Sequence, residues 1–128
     1  MCLTKLEKFE PCKVGYQVKW RYSPKAYSGM YNYVSNKMMP KVKYKAIRRK
    51  IGGGMFSYYG GFHVFHVLAD AKRWRRETYG RSHANCVIVK VKTDGIKITG
   101  YQAVWGVRGR YNAKVTVCSE MTILHEVE

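Results

Sequence analysis

The segment Tyr58–Tyr79, YYGGFHVFHVLADAKRWRRETY, decides the fold. Gly60 and Gly61 are a turn signal, because glycine accepts the positive φ that tight turns need. Phe62 to Leu68 follows as FHVFHVL. That run is short, aromatic and β-branched, which predicts a strand buried on at least one face. From about Leu68 to Tyr79 the period changes. Leu68, Ala71 and Trp74 fall three apart and share one face of a helix, while Lys72, Arg73, Arg75 and Arg76 occupy much of the rest. Asp70 lies in the first turn, where the helix dipole favours an anion, and Gly80 supplies a stop. A strand feeding directly into a basic amphipathic helix is the central unit.

Working outward, Val14, Tyr16, Val18, Trp20 and Tyr22 alternate with Gly15, Gln17, Lys19 and Arg21. This predicts a strand with one apolar and one polar face. No period holds from Ser23 to Pro40, which reads as a long irregular loop or a short helix carrying Tyr27, Tyr31 and Tyr33. Lys41 to Ile47 alternates again, with Val42, Tyr44 and Ala46 on one side and Lys41, Lys43 and Lys45 on the other. IGGGMFSYYGG reads as a glycine-rich connection. Past the helix, RSHAN is a loop, and strands are expected at Cys86–Lys92, Ile96–Gly100, Tyr101–Val107, Lys114–Cys118 and Met121–Val127. Asp94-Gly95 is a turn signal between strands, and Arg108-Gly109-Arg110 marks a basic turn. The expected fold is α+β, a twisted, mainly antiparallel sheet of about seven strands with one main amphipathic basic helix, in a single domain spanning residues 1–128.

Charge narrows the partner class. The chain carries 24 Lys+Arg against 8 Asp+Glu, a formal net charge of +16. Between Pro11 and Ala69 there are eleven Lys or Arg and no acidic residue. Such a chain repels itself unless a polyanion or counter-ions lie close. The natural partners are a nucleic acid, a ribonucleoprotein or an acidic protein surface. No stretch approaches the roughly 20 apolar residues of a membrane span. The start, MCLTKLEKFEP, lacks a signal peptide's apolar block, so a cytoplasmic location is expected. Cys2, Cys12, Cys86 and Cys118 are then expected to be thiols.

Catalytic chemistry finds little support in the sequence. His63 and His66 are three apart, and on a strand an odd spacing sets them on opposite faces. That disfavours a zinc site drawn from His63, His66, His83 and Cys86, and no metal or cofactor is expected. Carboxylates are scarce and none are paired for acid–base work, so no catalytic residue is assigned. IGGGM lacks the ending of a phosphate-binding loop. The candidate nucleic-acid-binding residues are Lys41, Lys43, Lys45, Arg48, Arg49 and Lys50, then Lys72, Arg73, Arg75, Arg76 and Arg81, then Arg108 and Arg110. Tyr58 and Tyr59 join them, since exposed aromatic rings stack on unpaired bases. Tyr27, Tyr31 and Tyr33 are likewise expected to be exposed.

Three short segments resemble a group of small phage and bacterial domains: the MCLTK start, Gly61-Phe62-His63-Val64-Phe65 followed by Asp70-Ala71, and the late Ala113-Lys114-Val115. The resemblance implies a phage or mobile-element protein in a host cytoplasm. Together with the charge, it points to a non-enzymatic binder of nucleic acid or of a ribonucleoprotein, one use of which would be inhibition of a host defence complex. A more distant resemblance is to the ADP-ribosyltransferase-like fold, through Arg21, the Gly61–Phe65 strand and Glu120. That fold's Ser-Thr-Ser motif is absent here, and Glu120 is not part of an ExE pair. The alternatives are therefore an ADP-ribosyltransferase-like or other nucleotide-using enzyme, a small nuclease, or an adaptor on an acidic protein.

Overall fold

The computed structural model describes residues 3–23, 26–28, 38–46, 50–53, 56–79, 86–106 and 109–127. Expectations placed on Cys2, Tyr31, Tyr33, Arg48, Arg49, Arg81, His83 and Arg108 lie outside the described residues. In chain order the elements are β1 (Lys5–Leu6), β2 (Val14–Ser23), β3 (Ala26–Ser28), β4 (Lys43–Lys45), β5 (Lys50–Gly53), β6 (Phe56–Tyr59), β7 (Phe62–Phe65), α1 (Leu68–Tyr79), β8 (Cys86–Gly106) and β9 (Gly109–Glu126). Seven strands form one antiparallel sheet, and β5 and β6 pair separately. The fold is α+β and mainly sheet, as the periodicities predict.

The long hairpin β8–β9 is the spine. Its ladder runs from Gly106 opposite Gly109 to Val89 opposite Glu126. The strands expected on either side of Asp94-Gly95 are thus one strand. Asp94 faces Glu120 and Lys97 faces Cys118, so two residues of β8 oppose one of β9. Gly95 has φ 78°, the Ile96 N–H donates to Ser119 Oγ at 2.8 Å, and a Cβ on Gly95 would strike that hydroxyl. This is a bulge with glycine in the left-handed region. It demands the same local conformation as a hairpin turn, which is why Asp-Gly reads as one.

The outer edges of the spine close on each other. β2 pairs with β8 from Val14 opposite Lys92 to Trp20 opposite Cys86, and β7 pairs with β9 from Phe62 opposite Cys118 to Phe65 opposite Val115. β2 and β7 then meet at Tyr16 and Phe65. The pairings β8–β2–β7–β9 therefore return to β8, and the sheet curls round on itself. Gly15 makes the closure sterically open, because a Cβ there would overlap Val64 and the Phe65 carbonyl. The Gln17 side chain adds a tie, Nε2 donating to the His63 carbonyl at 2.8 Å.

Curling buries both faces. On one side α1 lays Ala71 and Trp74 on Val18, Phe65, Ile88, Val104 and Val115. The other side gathers Val64, Val87, Val89, Val91, Met121 and Ile123 under Tyr27, Met38 and Tyr44. Of the polar face expected for β2, Gln17 and Lys19 are consequently inside, only 7% and 6% exposed, while Arg21 is exposed. Burial pulls the Lys19 ammonium down to about 8. A strap from Glu7 to Lys13 crosses β8 and β9 and is held by three buried threonines. Thr99 Oγ1 donates to the Glu7 carbonyl at 2.6 Å and accepts the Phe9 N–H at 3.2 Å. Thr116 Oγ1 accepts the Cys12 N–H at 3.2 Å, and the Thr93 hydroxyl donates to the Cys12 carbonyl.

Other expectations are corrected. IGGGMFSYYGG holds the β5–β6 hairpin rather than a plain connection. Lys41 is not part of a strand: it sits in a turn at φ 68°, so it does not continue the row of Lys43 and Lys45, and Val42 is exposed. Tyr27 and Tyr58 are buried, not exposed, because their hydroxyls find partners inside. Tyr27 Oη donates to Glu126 at 3.1 Å, and Tyr58 Oη accepts the Leu3 N–H at 2.8 Å. Cys12, Cys86 and Cys118 are free thiols. No helix among the described residues is long and apolar enough to cross a membrane.

Candidate nucleic-acid interface

With Ala71 and Trp74 turned inward, the outer ridge of α1 carries Lys72 and Arg76, both exposed, with Arg73 and Arg75 half-buried on its flanks. The Arg73 guanidinium lies over Tyr111 of β9, Cζ 4.1 Å from the ring centroid. A cation on an aromatic face holds a long side chain in place without removing its charge. Asp70 stands close by. Burial, and next the Asp70 carboxylate, push the Tyr111 hydroxyl up to about 12. Burial also raises the Asp70 carboxyl above the usual carboxylate range, against the pull of Tyr111 and Arg73. Arg76 pairs with Glu77 at 3.6 Å.

Arg110, exposed, precedes Tyr111 on β9 and so points to the opposite side of the strand. Arg73 of the second group and Arg110 of the third therefore lie at the same end of the β8–β9 hairpin, on opposite faces. Lys43 and Lys45 of the first group do not join them. Lys45 pairs in register with Glu120, and from Glu120 back to Arg110 is ten residues of β9 (120 − 110), roughly 30 Å along an extended strand. Its lysines also have acidic neighbours, Lys43 at 3.7 Å from Asp94 and Lys45 at 3.9 Å from Glu120. Lys50 and Tyr59 are opposite one another in the β5–β6 pair, and Tyr59 is 57% exposed. Tyr58 is withdrawn into the core and cannot stack on a base.

His63 and His66 are each tied to neighbours in the sheet. His63 Nδ1 donates to the Gly61 carbonyl at 3.2 Å, which leaves Nε2 bare to accept from the Tyr58 hydroxyl at 3.3 Å. Burial drops the His63 ring to about 4. His66 lies on the other side of the sheet, Nε2 at 2.6 Å from Thr116 Oγ1 and its ring edge-on to Phe9. Burial, then Lys114, lower its pKa as well. The two rings cannot share a metal, and no cluster of three His, Cys, Asp or Glu suited to one occurs among the described residues. Arg21 pairs with Glu126, whereas Glu120 pairs with Lys45, so these two positions serve separate ion pairs.

The structure adds residues that sequence reasoning missed. Tyr101 and Lys114 are cross-strand partners on the face of the hairpin turned away from α1. Phe9 of the strap packs beside them, its ring centroid 5.5 Å from that of Tyr101 and 5.2 Å from Lys114 Nζ. The signal was present in Gly106 and Gly109: a hairpin folded between them pairs 101 with 114 by counting. Comparison with protein-family models, with curated proteins and with solved structures gave no match.

Proposed function

We propose that this protein is a non-enzymatic, nucleic-acid-binding protein, taking RNA, DNA or a ribonucleoprotein on the basic ridge of α1 and the adjoining end of the β8–β9 hairpin. The observation that carries the reading is the charge. Eight carboxylates can neutralise at most eight of 24 cations, so 16 positive charges remain whatever the pairing. Of the cations whose side chains are described, only Lys19 is buried, so these described charges face outward. Phosphate backbones are the polyanions that such a surface attracts, through release of their counter-ions. The phage or mobile-element setting, the host cytoplasm and the use as an inhibitor of a host defence complex rest on the resemblance of the MCLTK start and the Gly61–Phe65 segment, and belong to the same proposal.

The test is binding of labelled RNA and duplex DNA to wild type and to the Arg73→Ala, Arg75→Ala, Arg76→Ala triple variant. Arg73 packs on Tyr111, so a Lys72→Glu, Arg76→Glu variant, changed only at exposed positions, guards against a folding loss. Both variants are expected to bind more weakly across unrelated sequences. Wild-type affinity in both would remove α1 from the interface and refute the proposal.

A further inference from the structure

The hairpin end has a second face. Its inner side lies under α1, where Val104 and Ala113 are buried and Tyr111 is capped by Arg73. Among the described residues no helix lies on the outer side. Residues 110, 112 and 114 of β9 alternate onto this side with Tyr101 and Ala103 of β8, in the register Tyr101–Lys114 and Ala103–Asn112. Arg110, Asn112 and Lys114 are exposed there, while Tyr101 and Ala103 are half-buried. The register sets the small Ala103 between Tyr101, Asn112 and the two cations Arg110 and Lys114. Phe9 steadies the ring of Tyr101 from the strap, and is itself fixed by His66 and Lys114.

Each group has a matching part in one ligand. An aromatic ring set in a sheet stacks on any base whose face is open. Ammonium and guanidinium groups hold phosphates. An amide reads a base edge by donating and accepting at once. Only an unpaired strand offers all three together, because a duplex keeps its base faces covered. We infer that the outer face of the β8–β9 end, Tyr101, Arg110, Asn112 and Lys114 around Ala103 with Phe9 at its margin, seats a nucleotide of single-stranded nucleic acid, its base on Tyr101 and its phosphates on Lys114 and Arg110. This rests on the nucleic-acid reading above and makes the preferred substrate single-stranded.

Fluorescence anisotropy with labelled oligouridylate, oligothymidylate and a mixed-sequence duplex tests it. The proteins are wild type, Tyr101→Leu, Tyr101→Trp, Asn112→Asp and the Lys72→Glu, Arg76→Glu variant. Wild type should prefer the single strands. Loss of one stacked base should weaken single-strand binding by roughly 5- to 100-fold in Tyr101→Leu, while Tyr101→Trp keeps it and duplex binding is unchanged. Asn112→Asp changes an exposed side chain, and should also weaken single-strand binding. Loss with both single strands assigns the seat to the features they share; loss with one alone names that strand as the ligand. Wild-type single-strand affinity in both Tyr101→Leu and Asn112→Asp overturns the inference. If the α1 variant still loses binding in that case, the broader reading stands without it. If wild type binds none of the three probes, both fall.

Discussion

Acid should destabilise this protein through His63 before its carboxylates titrate. The ring is 4% exposed and its pKa is held at about 4, against an ordinary 6.5, because burial penalises the imidazolium. Protonation would also break the acceptor role of Nε2 toward Tyr58, whose hydroxyl holds the Leu3 N–H. Between the two pKa values the unfolded chain carries the extra proton, so stability rises with pH in that window. The contribution is complete above about 6.5 and is lost as the pH falls toward about 4. From about pH 7.5 to about pH 5 the linkage amounts to about 2 kcal/mol. For a chain of this size that is about 6 to 10 °C in Tm. Thermal unfolding of wild type and of His63→Gln across this range is the assay. The variant is less stable throughout but should lose that part of the acid slope, and the fall caused by His66 cancels in the difference. An identical slope in both proteins, or a His63 ring titrating near its ordinary value by NMR, would refute the reasoning.

Other substitutions probe the frame. Lys19→Met should stabilise the protein at neutral pH by roughly 1 to 3 kcal/mol, since it removes a buried ammonium, and should flatten the rise in stability between about pH 8 and about pH 10.5; chemical denaturation at several pH values reads both. Gly95→Ala should cost about 1 to 3 kcal/mol, from its φ of 78° and the collision with Ser119, seen as a lower denaturation midpoint at unchanged m-value. Thr116→Val should cost about 1 to 3 kcal/mol by leaving the Cys12 N–H and His66 unsatisfied, with faster hydrogen exchange confined to the Glu7–Lys13 strap.

The parts of the fold fixed by local pattern were readable in the sequence. The strand expected over Phe62–Leu68 is present as Phe62–Phe65, the helix falls at Leu68–Tyr79 as expected, and Val14–Tyr22 lies in a strand. What failed depends on distant contacts. Gln17 and Lys19 look like a solvent face until the sheet curls and buries them, with Gln17 tied to the His63 carbonyl. Asp94-Gly95 has the chemistry of a turn, and only the pairing with Glu120 and Cys118 makes it a bulge. Tyr27 and Tyr58 sit in stretches without period, yet Glu126 and Leu3 draw their hydroxyls inside. The basic residues of α1 and Arg110 were visible one by one. The placing of Arg73 over Tyr111 was not, because it is set by how a helix docks on the end of a hairpin some thirty residues on.

The central claim is that phosphate contacts from an outward cation excess drive binding, and the salt dependence of Kd for nucleic acid measures it. If about four cations of α1 each neutralise one phosphate, raising the salt from about 50 to about 200 mM should weaken binding by roughly 50- to 150-fold. The logarithm of affinity should fall in a straight line with the logarithm of salt, and the slope should shallow in the Arg73→Ala, Arg75→Ala, Arg76→Ala variant. An affinity that holds constant across that range would contradict the account.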